Sequence, residues 1–100
     1  MSFILQVDFP YQGPWGAEMQ QAMQALAESI NQEPGFIWKI WTENQDKLQA
    51  GGIYLFESEQ TAEQYLDKHA ARLKGFGVAV VNAKIFALNE SLSVLNKAPL

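Results

Sequence analysis

The sequence predicts one α+β domain whose elements follow the order β-α-β-β-α-β. Three observations carry this prediction: four segments in which apolar residues alternate, two amphipathic segments of helical period, and turn residues between them. With 100 residues, 48% apolar and 18% charged, the chain is long enough for one hydrophobic core and too short for two. We therefore treat residues 1–100 as a single domain.

The first strand is predicted over residues 3–9, whose odd-numbered members are all apolar. After a loop, an amphipathic helix is predicted from about Trp15, with one apolar face. That face consists of Met19, Met23, Leu26, Ala27 and Ile30. The helix ends before Pro34, whose ring disfavours helix at the preceding residue, and Gly35 supplies the turn into the next strand.

The second strand, residues 36–43, carries tryptophan on both faces, because alternate side chains of a strand point in opposite directions. Strict alternation places Trp38 on one face with Phe36, and Trp41 on the opposite face with Lys39. We expect Trp38 to face the core or a pocket and Trp41 to face a subunit interface.

A polar turn over residues 44–51 leads to a third strand over residues 52–57. Ser58 then offers a helix N-cap, and the second helix ends at Gly75-Phe76-Gly77. Its apolar stripe consists of Ala62, Tyr65, Leu66, His69 and Leu73. A last strand is predicted over residues 78–88, followed by a short tail with one helical turn.

This element order is that of the ferredoxin-like split β-α-β unit, an antiparallel four-stranded sheet with two helices on one face. The second and fourth strands nevertheless carry large apolar side chains on both faces. Because two helices cover only one face, we expect the other face to pack against a second copy of the chain. The resulting homodimer would be a dimeric α/β barrel in which two sheets face each other.

Composition excludes several classes of function. The chain has no cysteine, which excludes disulfide scaffolds and thiolate sites. A net charge of −4 with seven scattered Lys and Arg residues argues against a nucleic-acid partner. No apolar run reaches the roughly 20 residues of a membrane span, and the chain lacks the basic start of a signal peptide, so we expect a cytoplasmic location. One histidine and no nucleotide-type glycine loop lead us to expect no metal and no cofactor.

Three segments carry a resemblance to a known family: residues 33–43 (EPGFIWKIWTE), 51–56 (GGIYLF) and 82–86 (NAKIF). The chain resembles the YdhR-type proteins of bacteria over almost its whole length. The resemblance implies a dimeric α/β barrel similar to the antibiotic-biosynthesis mono-oxygenases, which oxidise polycyclic phenols with dioxygen and without metal, flavin or haem. The activity of the YdhR-type group itself is inferred by that analogy.

His69 is the first candidate for a catalytic group, because it is the only histidine and lies on the apolar stripe of the second helix. Oxygenation without a cofactor needs a base that removes a phenolic or α-carbonyl proton, and the resulting anion passes an electron to oxygen. Imidazole suits that step, with a usual pKa of about 6.5. The alternative is a hydrogen-bonded core histidine without a catalytic role.

Five aromatic residues are candidates for lining an apolar cavity that binds a ring-bearing ligand. They are Trp38, Trp41, Tyr54, Phe56 and Tyr65, with Trp38 preferred to Trp41 as the pocket residue. Phe56 stands where the antibiotic-biosynthesis mono-oxygenases usually carry tryptophan. The alternative for each residue is packing in the core or at the dimer interface.

Polar residues near these positions are further candidates. Asn82, with Lys84 beside it on the last strand, is a candidate for orienting a substrate oxygen, and the alternative is a hydrogen bond across the dimer interface. Arg72, three residues after His69, is a candidate for holding an anionic product, and the alternative is a solvated helix face.

Three functions from different classes are consistent with the sequence. The first is a cofactor-independent mono-oxygenase, or a related small oxidoreductase, that acts on a small aromatic or quinone-like molecule. The second is a non-enzymatic dimer that shields or delivers a hydrophobic ligand. The third is a haem-handling relative of the same barrel that uses His69 as an iron ligand.

Overall fold

A computed structural model describes all 100 residues of the chain. Its elements are β1 (Phe3–Pro10), α1 (Gly16–Ile30), β2 (Phe36–Asn44), β3 (Gln49–Phe56), α2 (Glu59–Gly75), β4 (Asn82–Ala87) and α3 (Glu90–Leu95). The four strands form one antiparallel sheet in the order β2-β3-β1-β4. The predicted α+β ferredoxin-like fold is confirmed, with a short third helix in the tail.

The core lies between one face of the sheet and the two long helices. β1 contributes Leu5 and Val7, and β3 contributes Tyr54 and Phe56, all of which are buried. From the helices, Ile30, Ala62 and Tyr65 pack against these four side chains. Burying an apolar side chain of this size contributes about 1.5–3 kcal/mol, so this layer stabilises the helices on the sheet.

The N-terminus of α2 has the cap that the sequence predicts. Ser58 has an extended backbone, and its Oγ accepts a hydrogen bond from the backbone N–H of Thr61 at 3.1 Å. This bond satisfies one of the helix's free N–H groups. It sets the start of α2 at Glu59.

A β-bulge at Ile37 changes the faces of β2. Phe36 pairs with Phe56, but Trp38 already pairs with Leu55, so β2 contains one extra residue. Trp38 therefore lies on the face of the sheet away from the helices. The prediction that Trp38 shares a face with Phe36 is wrong, because strict alternation does not survive an extra residue.

After the bulge, each side chain of β2 lies on one face of the sheet where alternation counted from Phe36 predicts the other. Lys39 is paired with Tyr54 and Trp41 is paired with Gly52, so both point to the helix-covered face. The prediction that Trp41 belongs to a subunit interface is therefore wrong.

Two strand boundaries also differ from the prediction. β3 begins at Gln49 because the pairing with β1 continues as far as Pro10. β4 covers only residues 82–87, since its pairing with β1 ends where Asp8 meets Asn82. Ahead of it, the N–H of Val78 donates to the carbonyl of Leu73 at 3.0 Å, so residues 76–78 end α2, and strand pairing begins only at Asn82.

The sheet face away from the helices carries exposed apolar side chains, and we call it the open face. Ile40 is 50% exposed and Phe86 is 48% exposed. Trp38 lies on the same face, where its Nε1 donates to the carbonyl of Pro99 at 3.0 Å and ties down the C-terminal segment. None of the three helices combines the length and the apolar character needed to cross a bilayer.

Candidate active site

A cavity of about 700 Å³ lies between the helix-covered face of the sheet and the two long helices. This volume falls within the usual range for small-molecule sites, about 300–1,000 Å³. Its walls include Met19, Met23 and Leu26 from α1, Lys39 and Trp41 from β2, Tyr54 from β3, and His69, Arg72 and Leu73 from α2. The α1 wall is apolar, whereas the side chains that can carry charge come from β2 and α2.

Gly52 leaves the room that Lys39 needs on the cavity floor. A Cβ atom added at Gly52 would lie 2.6 Å from Cε of Lys39 and 3.2 Å from Cε1 of Tyr54. Both distances are shorter than van der Waals contact. The missing side chain thus lets the Lys39 stem cross β3 and bring its amino group to the aromatic rings.

His69 is an uncharged imidazole at neutral pH. Its side chain is 4% exposed, and its ring stacks on Tyr65 with centroids 5.3 Å apart. Burial, and then the charges of Lys39 and Arg72, lower the pKa of His69 to about 4. Nη1 of Arg72 lies 3.5 Å from Nδ1 of His69, and because guanidinium only donates, this contact assigns the ring proton to Nε2.

The amino group of Lys39 lies over two aromatic rings. Its Nζ is 3.4 Å from the centroid of the Trp41 ring and 4.6 Å from that of Tyr54. Burial first, and then the charge of Arg72, lower the pKa of Lys39 to about 7. The ammonium and amine forms of this side chain therefore coexist near neutral pH.

Tyr54 presents a neutral phenol to the cavity. The hydroxyl of Tyr65 donates to that of Tyr54 at 3.4 Å, and burial raises the pKa of both. Phe56 packs behind them, with ring centroids 6.1 Å from Tyr54 and 5.5 Å from Tyr65. This aromatic layer holds the hydroxyl of Tyr54 and the ring of His69 in place.

The family model described as "Putative mono-oxygenase ydhR" matches residues 4–99, nearly the whole chain. The chain belongs to the YdhR family. No curated protein is similar enough in sequence to count as a relative of this YdhR-family protein.

Several solved structures have a similar fold, and they include the following three. SnoaB, a cofactor-independent oxygenase from Streptomyces nogalater, is 14% identical with a TM-score of 0.61, over 88% of this chain and 93% of its own. The monooxygenase from the gene ActVA-Orf6 of Streptomyces coelicolor, in complex with nanaomycin D, is 21% identical with a TM-score of 0.59, over 88% of both chains. Rv0793 from Mycobacterium tuberculosis is 12% identical with a TM-score of 0.58, over 88% of this chain and 95% of its own. At such identities the likeness establishes a shared fold.

The cavity of the YdhR-family protein brings together three of the predicted site residues, His69, Tyr54 and Arg72. Phe56 and Tyr65 are not in its lining and form the aromatic layer behind it.

Two predicted site residues lie elsewhere. Trp38 is on the open face, so the preference for Trp38 over Trp41 as a residue of this cavity is wrong. Asn82 also lies on the open face, where its Nδ2 donates to Oδ1 of Asp8 at 3.0 Å across the strand pair.

Sequence reasoning missed Lys39 as a residue of the cavity, and it named Trp41 as a candidate but preferred Trp38. The available signal was a lysine between two tryptophans in a strand that is otherwise apolar. A lysine in such a strand either reaches solvent at the edge of the sheet or points inward, and an inward lysine indicates a functional site because charged side chains are rarely buried.

The cavity offers poor ligands for a metal ion. His, Cys, Asp and Glu side chains do not gather in groups of three anywhere in this chain. His69 is the single imidazole, and the positive charges of Lys39 and Arg72 beside it repel a cation. These residues do not fit a metal centre, and they argue equally against His69 as the ligand of a haem iron.

Proposed function

We propose that this YdhR-family protein is a cofactor-independent mono-oxygenase that acts with dioxygen on a small aromatic or quinone-like substrate. The observation that carries the proposal is a largely apolar cavity of about 700 Å³ with His69, Arg72 and Lys39 among its walls. An apolar cavity with a few placed polar groups suits a flat ring system. The family match, and structural neighbours whose names state oxygenase activity, support the same class of reaction.

The reaction needs a deprotonated substrate. We assign the proton transfer to His69, whose neutral ring accepts a proton from a phenol. The phenolate gives one electron to dioxygen, and the resulting radical and superoxide combine at a ring carbon. The peroxide anion takes back the proton from His69 to give a hydroperoxide, which loses water as the quinone forms. The ring thus gains one oxygen atom and loses two hydrogens, and the second oxygen of O₂ leaves as water.

Oxygen consumption tests this proposal directly. We expect folded protein to consume O₂ with one or more of a series of mono- to tricyclic phenols that includes 1-naphthol, and to incorporate ¹⁸O into the quinone. Loss of the base in His69→Gln is expected to lower kcat/KM about a hundredfold. Gln21→Ala, an exposed position on α1, is the matched control.

Ligand binding without oxygen consumption would contradict the proposal. If a phenol binds in the cavity and no O₂ is consumed with any member of the series, the protein is not an oxygenase of this class. Binding without turnover would instead favour the non-enzymatic alternative, a protein that shields or delivers a hydrophobic ligand.

The assembly and location of the protein belong to the same proposal. We infer a homodimer formed through the open face, where Ile40 and Phe86 leave apolar surface exposed. A cytoplasmic location fits a chain without cysteine, since a reducing compartment makes no use of disulfides.

A further inference from the structure

Two cationic side chains reach the cavity without a carboxylate partner. The only ion pair of the chain joins Nζ of Lys68 to Oε1 of Glu33 at 2.6 Å. Lys39 and Arg72 therefore have no acidic group within 4.0 Å. Arg72 makes its side-chain hydrogen bond to Nδ1 of His69, and Lys39 lies over aromatic rings.

These two cations act on each other as well as on His69. The charge of Arg72 lowers the pKa of Lys39, and both charges lower the pKa of His69, so the three groups share one region of the cavity wall. The faces of Trp41 and Tyr54 offset part of the cost of burying the ammonium of Lys39. The mutual repulsion of the cations is left uncompensated.

No group that faces Lys39 supplies a negative charge near neutral pH. On β3, Tyr54 is a phenol with a raised pKa, and on α2, His69 is neutral while Arg72 is positive. The α1 wall carries Met19, Met23 and Leu26, none of which titrates. Glu43, farther along β2, is outside the cavity lining, and Tyr11, in the loop before α1, is a phenol whose pKa burial raises.

We propose that the cavity binds a planar organic oxyanion, a carboxylate or a phenolate on a ring-bearing body, whose anionic oxygen lies between Lys39 and Arg72. This inference rests on the proposed function, because it names the substrate class of the same cavity. Apolar walls would hold the rings while two positive donors hold the oxygen. The same pair of charges would lower the pKa of a bound phenol, so that a weak base such as His69 suffices to deprotonate it.

Isothermal titration with two ligands of nearly equal shape tests the proposal. We expect 2-naphthoate to bind wild-type protein about a hundredfold more tightly than 2-naphthamide at pH 6.5, because only the first has a charge for the two cations. Lys39→Met and Arg72→Met should each weaken 2-naphthoate about tenfold and leave 2-naphthamide unchanged. The double variant should bind the two ligands equally.

The unchanged affinity for 2-naphthamide shows that a variant has kept its fold. Lys47→Met, in the exposed β2–β3 turn, removes the same charge outside the cavity and should leave the preference intact. Equal binding of the two ligands by wild-type protein would overturn the proposal. So would persistence of the preference in the double variant, or no binding of either ligand.

The titration does not depend on turnover, so it separates the two proposals. If the protein prefers 2-naphthoate but consumes no O₂, the proposed anion site stands and the proposed oxygenase function fails. If it consumes O₂ but binds 2-naphthoate and 2-naphthamide equally, the proposed oxygenase function stands and the proposed anion site fails.

Discussion

His69 combines burial with positive neighbours, and both lower its proton affinity. The side chain is 4% exposed, and the charges of Lys39 and Arg72 add to the cost of protonating it. A histidine of this kind carries no charge at neutral pH and is ready to accept a proton, although as a weak base. Such a weak base deprotonates a substrate effectively only where other groups stabilise the substrate anion that forms.

The lowered pKa of His69 predicts a loss of stability in acid. The pKa is about 4 in the folded protein and about 6.5 when unfolded, so the unfolded chain takes up the proton first as the pH falls. The stabilising contribution is complete above pH 6.5 and lost as the pH falls towards 4. At about 1.4 kcal/mol per tenfold change in proton affinity, it is on the order of 3 kcal/mol.

Urea unfolding at pH 7 and pH 4.5 checks this prediction against the variant His69→Gln. Carboxylates contribute to acid sensitivity in both proteins, so the quantity of interest is the difference between them. We expect the wild type to lose about 2–3 kcal/mol more than the variant between these two pH values. Equal losses would show that His69 is not the group responsible.

The lowered pKa of Lys39 predicts that the protein binds anions more weakly as the pH rises. Its pKa of about 7 means that the ammonium form is present below neutral pH and is lost above it. Tyr54 and His69 facing it stay neutral, and Arg72 stays charged, so Lys39 is the group that changes. We expect the affinity for 2-naphthoate to fall about tenfold between pH 6 and pH 8.5. In Lys39→Met the affinity should be lower and independent of pH, and a retained pH dependence would contradict the assignment.

At the scale of the element, β2 shows how one extra residue changes a site. Residue Ile37 forms a bulge, and every side chain after it lies on the face opposite to the one that continued alternation from Phe36 predicts. This change brings Lys39 and Trp41 to the cavity and sends Trp38 to the open face. Deleting Ile37 would remove the extra residue without changing the pairing of Lys39 with Tyr54, so Lys39 would stay in the cavity.

The β1–β3 pair depends on close backbone approach at Gly51. A Cβ atom there would lie 1.9 Å from the carbonyl oxygen of Val7. Because a strand in the middle of the sheet has no room to shift, we expect Gly51→Ala to lower the free energy of unfolding by about 3 kcal/mol or more.

Gly75→Ala is the matched control for that substitution. Gly75 is the last residue of α2, and a Cβ atom there would meet nothing within 4 Å. We expect no loss of stability, or a gain of a few tenths of a kcal/mol, since alanine favours helix. Thermal unfolding of Gly51→Ala and Gly75→Ala tests this prediction. A similar loss of stability in both variants would show that close backbone approach at Gly51 is not the cause.

At the scale of the whole molecule, the sheet is apolar on both faces while its helices cover only one. The open face retains Ile40 at 50% and Phe86 at 48% exposure, one on each edge strand. The cavity lies on the opposite side of the sheet, so assembly through the open face would leave the cavity free. Contacts of this type usually bury on the order of 2,000 Å² or more.

Sedimentation velocity at micromolar concentration tests the homodimer. We expect wild-type protein to sediment at twice its chain mass of 11.2 kDa, and the double variant Ile40→Lys, Phe86→Lys to sediment as a monomer. Phe76→Lys removes a more exposed aromatic, 74% exposed, from the end of α2 and should stay dimeric. A monomeric wild type would refute the predicted assembly.

The element order and much of the core followed from local patterns. Alternation and helical period are properties of neighbouring residues, so they reveal strands, helices and the inward faces of Tyr65 and His69. The family resemblance, carried by three short segments, was likewise visible in the sequence, and the match over residues 4–99 confirms it.

Sequence alone therefore determined the elements, their order and the inward position of His69 at the centre of the proposed site. Tertiary structure decided which side of β2 faces the cavity, because a bulge depends on pairing with β3 and leaves no trace in alternation. It also decided that Lys39 and Arg72, from a strand and a helix 33 positions apart, stand in one cavity without a counter-ion. Such convergence is a long-range property, set by packing and strand register, and no local pattern contains it.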